Sequence, residues 1–160
     1  MDQQVTASDV VKLLSERQLT ISAAESLTAG MLMSELASVP GASKVLLGGF
    51  VTYATAFKTK LLGVPAELIA SAGVVSEATA MAMAKECRRQ TGTDLALGLT
   101  GVAGPAELDG QAVGTVWIGL ASSTGQVARL YQFDASLTRE QIRQAAVAAA
   151  LQMVRELLFD

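Results

Sequence analysis

Thr20-Ile21-Ser22-Ala23-Ala24-Glu25-Ser26-Leu27-Thr28-Ala29-Gly30 changes character halfway along. Thr20 to Ala24 alternate β-branched and small residues, whereas Met31, Leu32, Leu36 and Ala37, just beyond, recur at helical spacing. A short strand therefore turns into a helix, with Ser26 at the corner. A serine so placed exposes its hydroxyl above the sheet edge, beside the first N–H groups of the helix. Two roles fit: a nucleophile next to an oxyanion hole, or an N-cap. Thr28 can serve as the cap instead, and the N–H groups of Ala29, Gly30 and Met31 are then the free donors.

Working outward, Val10, Val11, Leu13 and Leu14 form the apolar stripe of a first helix, roughly Ser8 to Gln18, capped by Thr6 or Ser8. Downstream, Val39-Pro40-Gly41 ends the second helix, and Val45 to Tyr53 read as a buried strand. Gly48-Gly49 within it mark a bulge or a close backbone approach. Thr55 caps a short helix through Leu62, which Gly63 terminates before Pro65 opens another helical turn. Ser76 caps a longer helix, about Glu77 to Gln90, with Ala80, Met83, Ala84 and Cys87 on one face and Gly92 at its end. Asp94 to Thr100 form an apolar strand running into Gly101-Val102-Ala103-Gly104-Pro105 and the polar loop Ala106 to Gln111. Val113 to Ala121 and Gln126 to Phe133 read as a hairpin turning near Ser122 to Gly125. Thr138-x-x-Gln141 is a capping box for a last helix with Ile142, Ala146, Ala149, Met153 and Leu157 on its core side. Interleaved helices and strands specify an α/β fold: one domain over 1–160, a layered sandwich whose mixed sheet is flanked by helices.

Composition narrows the chemistry. With 51% apolar and 17% charged residues the chain can bury a sizeable core, and its greasy stretches are too interrupted to span a bilayer. Met1-Asp2-Gln3-Gln4 lacks the features of a signal peptide, so the expected location is cytoplasmic. A net charge of -3 argues against general nucleic-acid binding but leaves a local anion site open. Cys87, among Lys85, Glu86, Arg88 and Arg89, reads as a surface or half-buried thiol. The absence of histidine is the strongest restriction, because it removes Ser/His/Asp and Cys/His catalysis and the usual transition-metal sites. Carboxylates, lysine, tyrosine and backbone amides remain. The alanine-rich final helix and the hairpin could supply the surface of a homodimer.

Three further groups of residues are candidates. Tyr53 and Lys58 are five residues apart, about 140° on a continuous helix, and converge only if Tyr53 is still extended when the helix starts near Thr55. Lys58 then lies in the first helical turn, where the dipole disfavours an ammonium by only ~0.3–1 kcal/mol. Bringing a lysine pKa near 7 takes roughly 4 kcal/mol, so desolvation must supply most of it, and a solvated surface lysine is the alternative. Thr100 and Gly101 begin a glycine-rich loop after a strand, without the lysine of a phosphate loop. Arg139 and Arg143 lie one turn apart and form either an anion clamp or an ordinary surface pair.

In order, Ala24-Glu25-Ser26-x-Thr28-x-Gly30, Gly49-Phe50-Val51-Thr52-Tyr53 followed by Lys58, Gly73-Val74-Val75-Ser76, Thr100-Gly101-x-Ala103-Gly104-Pro105 and Val113-Gly114-Thr115-Val116 resemble the CinA C-terminal-domain family. That family includes nicotinamide-nucleotide amidohydrolases. The resemblance implies hydrolysis of the carboxamide of nicotinamide mononucleotide to nicotinate mononucleotide and ammonia, with a small nucleotide as partner and neither cofactor nor metal. Ser26 matches the nucleophile, Lys58 its base, and Tyr53 a supporting donor or proton relay. Thr28, Ala29 and Gly30 match the helix-start segment that polarises the amide, Thr100 and Gly101 the ligand loop, and Arg139 and Arg143 stand where an anion could be held. Members commonly have Glu-Ser-Cys-Thr-Gly-Gly where this chain has Leu27 and Ala29. The loop Ala106 to Ala112 lacks the usual double glycine and Lys-Pro, and Leu137-Thr138-Arg139 keeps only the arginine of Gly-Asp-Arg. Two alternatives stand beside this reading: a catalytically idle, competence-related regulatory domain, and an amidase for another small amide.

Overall fold

Alternation along the strands sorts the side chains into two layers, as seen in the computed structural model, which describes residues 3–159. The elements in order are α1 (Ala7–Glu16), β1 (Ile21–Glu25), α2 (Met31–Ala37), a 3₁₀ turn (Ala42–Lys44), β2 (Leu46–Val51), α3 (Thr55–Lys60), α4 (Ala66–Ala72), α5 (Glu77–Thr91), β3 (Leu95–Gly101), β4 (Thr115–Ser122), β5 (Gly125–Gln132) and α6 (Arg139–Phe159). Sheet order is β2-β1-β3-β4-β5, with β2, β1 and β3 parallel and β4 and β5 antiparallel. This is the single-domain mixed-sheet α/β sandwich that the interleaved pattern predicts. No helix among the described residues is long and apolar enough to cross a membrane.

Ile21, Ala23, Leu95, Leu97, Leu99, Val116, Ile118 and Leu120 face one way and pack with residues of α1, α2 and α6 into the larger core cluster. Ala24 and Ala96 face the other way, against Met83 and Cys87 of α5 and Leu62 and Val64 from the segment after α3. α5 lies almost directly on the sheet. Gly98 and Gly119 are cross-strand partners, and a Cβ at either would come within 2.5 Å or less of the Ala80 carbonyl oxygen of α5. At the other edge, the register between β1 and β2 shifts by one residue before Gly48, and a Cβ at Gly49 would lie 2.1 Å from the Ala23 carbonyl oxygen. Both the bulge and the close approach expected of that glycine pair occur.

Several boundaries differ from expectation for local reasons. Thr6 caps α1, its hydroxyl accepting from Asp9 N–H while the Asp9 carboxylate accepts from Thr6 N–H. The cap of α3 is Ala54, so Thr55 is already helical. The box at Thr138 and Gln141 forms as expected. Its helix, however, buries Val147, Ala150, Leu151, Val154 and Leu158 along with Ile142, Ala146 and Met153, so Leu157 stays exposed. Ile142, Ala146 and Met153 are buried and Ala149 packs on the same core as expected, and only Leu157 of the stripe faces out, because an Ala-rich helix carries weak periodicity. Cys87 is fully buried rather than half-exposed. It belongs to a hydroxyl cluster in which Ser22 bonds Thr91 and Thr93, and burial pushes the thiol up to about 11.

Candidate active site

Parallel β1, β2 and β3 all end on the same side of the sheet, and β1 lies between the other two with crossover helices on opposite faces. Ligands of such sheets bind beyond the carboxyl ends of the strands at this topological switch. A cavity of about 660 Å³ lies there. Its walls are Ser26 and Leu27 after β1, Tyr53 to Thr55 after β2, Gly101 to Leu108 after β3, and Arg139 at the start of α6. A smaller cavity of about 350 Å³ beside α1, α2 and α6 includes Val5, Met31 and Leu151 in its walls and holds no nucleophile with a base.

Ser26 ends the strand with its side chain on the side of α3. Its Oγ is 2.9 Å from Nζ of Lys58, whose Nζ also donates to the Thr52 carbonyl at 2.8 Å. Lys58 is 1% exposed, turned inward by a six-residue helix, but it does not converge with Tyr53, whose hydroxyl bonds Arg139 instead. Burial lowers its pKa from 10.5 to about 8. At pH 7.5 a fraction on the order of one in four is then neutral, against about one in a thousand for a free lysine. Protonated, Nζ donates to Ser26 Oγ; neutral, it has a lone pair that can accept the serine proton over the same distance. The arrangement is chemically competent for nucleophile–base work without histidine.

Glu25 immediately precedes Ser26 and points to the other side of the sheet. Fully buried, it accepts the Leu32 and Met33 N–H groups at 2.9 and 3.0 Å, satisfying the first turn of α2. Met31 N–H donates to the Thr28 carbonyl and Ala29 N–H to the Ser26 carbonyl. The expected donor set therefore changes. Thr28 is not the cap, since Gly30 occupies that position and the Thr28 hydroxyl is buried without a partner. Of Ala29, Gly30 and Met31, only Gly30 keeps its N–H free among the described residues, joined by Leu27 and Thr28. The chain here takes two successive left-handed conformations, φ +47° at Ala29 and +96° at Gly30, which lifts the turn away from helical geometry.

The remaining candidates divide. Arg139 reaches across the cavity, donating to the Tyr53 hydroxyl and to the Gly104 carbonyl. Tyr53 lies at the rim, 55% exposed, and bonds neither Ser26 nor Lys58. Gly101 lines the cavity, whereas Thr100 is buried and donates to the Val74 carbonyl at 2.7 Å, bracing the 73–76 turn. Arg143 lies outside the cavity wall. It donates through Nε to the Leu27 carbonyl at 2.8 Å and through Nη2 to the Thr28 carbonyl at 3.2 Å. Sequence reasoning missed Glu25 as the cap of α2 and Glu107 and Leu108 as cavity residues. Glu25 stood in plain view beside Ser26, but a strand carboxylate reaching a helix seven residues on leaves no periodic trace.

Comparison with known proteins identifies the family. The family model described as CinA C-terminal domain matches residues 3–158. A curated protein of Levilactobacillus brevis, named "Putative competence-damage inducible protein", is 50% identical over 157 residues, 98% of this chain and 38% of its own length. A namesake from Lactiplantibacillus plantarum is 46% identical over 98% of this chain and 37% of its length. The chain thus spans well under half of these relatives. Among solved structures, the competence/damage inducible protein CihA from Agrobacterium tumefaciens superposes with TM-score 0.90 at 31% identity, covering 96% of this chain and 93% of that one. A CinA-superfamily protein from Klebsiella pneumoniae does so with TM-score 0.91 at 29% identity, over 95% and 94%. The chain belongs to the CinA C-terminal-domain family.

Proposed function

We propose that this domain is an amidohydrolase that converts nicotinamide mononucleotide to nicotinate mononucleotide and ammonia. The observation that carries the reading is the 2.9 Å contact between Ser26 Oγ and a buried Lys58 Nζ whose pKa burial lowers to about 8. Amide hydrolysis needs a nucleophile, a base that can return its proton to the leaving nitrogen, and donors for the developing oxyanion. Ser26 attacks the carboxamide carbon as Lys58 takes the hydroxyl proton, and the C=O electron pair moves onto oxygen, facing the N–H groups of the 27–30 turn. Collapse breaks the C–N bond, and Lys58 hands the proton to the departing nitrogen, releasing ammonia. A water activated by the neutral amine then cleaves the acyl-serine ester, giving the carboxylate and regenerating Ser26.

The cavity volume of about 660 Å³ suits a ligand of mononucleotide size. Arg139 supplies a guanidinium at its edge for a phosphate, and Glu107 a carboxylate in the same wall, while the substrate carries a cationic ring and an anionic phosphate. Ser26→Ala is expected to abolish ammonia release from the mononucleotide while the far-UV spectrum and melting temperature stay those of the unsubstituted protein. Turnover retained in that variant refutes the nucleophile assignment. The loop Ala106 to Ala112, which departs from the family pattern, favours a second reading, an amidase for another small amide. Chromatography of products from the mononucleotide and from nicotinamide separates the two. No deamidation of either would leave an untested amide or a regulatory domain.

A further inference from the structure

Arg143 was a candidate for holding an anion, yet its guanidinium faces the protein. Two of its N–H groups are spent on consecutive carbonyls, those of Leu27 and Thr28, in the turn that follows the nucleophile. In a trans peptide the carbonyl and the next N–H point in opposite directions. With the Leu27 carbonyl held against Arg143, the Thr28 N–H must face away from α6, and among the described residues it has no partner. The Thr28 carbonyl is held in the same way, and the N–H beyond it, that of Ala29, is fastened to the Ser26 carbonyl at 3.0 Å. The backbone needs such a restraint, because Ala29 adopts φ +47° without being glycine. A rotation of the 27–28 peptide would exchange the directions of its carbonyl and its N–H.

We propose that Arg143 is a positioning residue for oxyanion stabilisation. By clamping the Leu27 and Thr28 carbonyls it presents the Thr28 N–H to the oxygen of the carbonyl that acylates Ser26. The assignment rests on the serine-hydrolase reading of the site but not on the identity of the amide. It also separates the two arginines: Arg139 stands in the cavity wall and meets the substrate, whereas Arg143 acts through the backbone.

The test uses two readouts. The first is the rate at which a fluorophosphonate probe phosphonylates Ser26, a reaction in which the serine oxygen displaces fluoride and charge builds on the phosphoryl oxygen. Ser26→Ala controls for the site of labelling. Arg143→Gln is expected to slow labelling at least tenfold, with Arg143→Lys, which keeps a cation and one contact, restoring part of the rate. The second readout is deamidation of the mononucleotide, where Arg143→Gln is expected to lower kcat by about 10²–10³-fold with KM changed less than threefold. Labelling unchanged in both Arg143 variants overturns the proposal, as does a loss confined to KM, which would make Arg143 a substrate contact. Absence of wild-type labelling at Ser26 also overturns it, since no formed oxyanion site would then exist. A wild-type protein that is labelled but releases no ammonia refutes the substrate assignment alone, and the labelling comparison still decides the role of Arg143.

Discussion

Lys58 couples activity and stability to pH in ways that can be separated. In the proposed mechanism Lys58 must be neutral to act as base, so kcat/KM is expected to rise with pH along a limb with its midpoint near 8. Lys58→Met is expected to lose that limb and at least 10³-fold in kcat. For stability, the native lysine releases its proton near 8 and the unfolded one near 10.5, so the unfolded state binds more protons between those values and unfolding free energy rises with pH there. Cys87 opposes this above about pH 9, because burial keeps the native thiol protonated to about 11. The informative quantity is therefore the difference between the wild-type protein and Lys58→Met in urea unfolding. At pH 7 the methionine variant is expected to be more stable by about 1–3 kcal/mol, an advantage that shrinks between pH 8 and 10. An advantage that stays constant over that range would show that Lys58 titrates as an ordinary surface amine.

α2 and α3 are short, seven and six residues, and neither would persist in isolation. Each is tied to the sheet edge through one buried charged side chain. For α2 it is the buried Glu25 carboxylate, which occupies the Leu32 and Met33 amides. Glu25→Ala is expected to leave both amides unpaired and to cost about 2–4 kcal/mol, checked by the urea midpoint, with Glu25→Gln intermediate because one oxygen still accepts. A cost below 0.5 kcal/mol for Glu25→Ala would mean that α2 is held by packing alone. For α3 it is Lys58, whose Nζ donates to Ser26 Oγ and to the Thr52 carbonyl, contacts that recover only part of the cost of burying the amine.

The site as a whole is assembled from segments far apart in the chain. Arg139, at the start of the last helix, bonds Tyr53 after β2 and Gly104 after β3, and so links three walls of the cavity. If it also meets the phosphate, Arg139→Gln should raise KM for the mononucleotide about 10–100-fold, the loss of one charge-assisted contact, with kcat within threefold. Steady-state kinetics on the mononucleotide and on a carboxamide lacking phosphate check this. An equal KM increase for both would assign Arg139 to loop support rather than phosphate recognition.

Periodicity in the chain determined most of the architecture: alternation in Thr20 to Ala24 and the helical recurrence from Met31 set the strand-to-helix corner, and the glycine pair in β2 announced its bulge. The absence of histidine excluded imidazole catalysis, and the resemblance carried by the five ordered motifs, not spacing alone, implied a serine–lysine chemistry before any distance was known. These features are local, so a single chain of letters records them. Only the tertiary structure decided that Lys58 is buried against Ser26, because its desolvation depends on packing among α3, β1 and β2. It alone showed that Glu25 takes the helix amides, leaving the turn at Leu27, Thr28 and Gly30 as the remaining donors. Likewise Arg139 and Arg143, four residues apart on one helix, face different tasks because one reaches over the cavity and the other under the nucleophile turn. Spacing can put two side chains on neighbouring positions of a helix, but what each one meets is set by elements more than a hundred residues away in the chain for Arg143, and by two separate strand ends for Arg139.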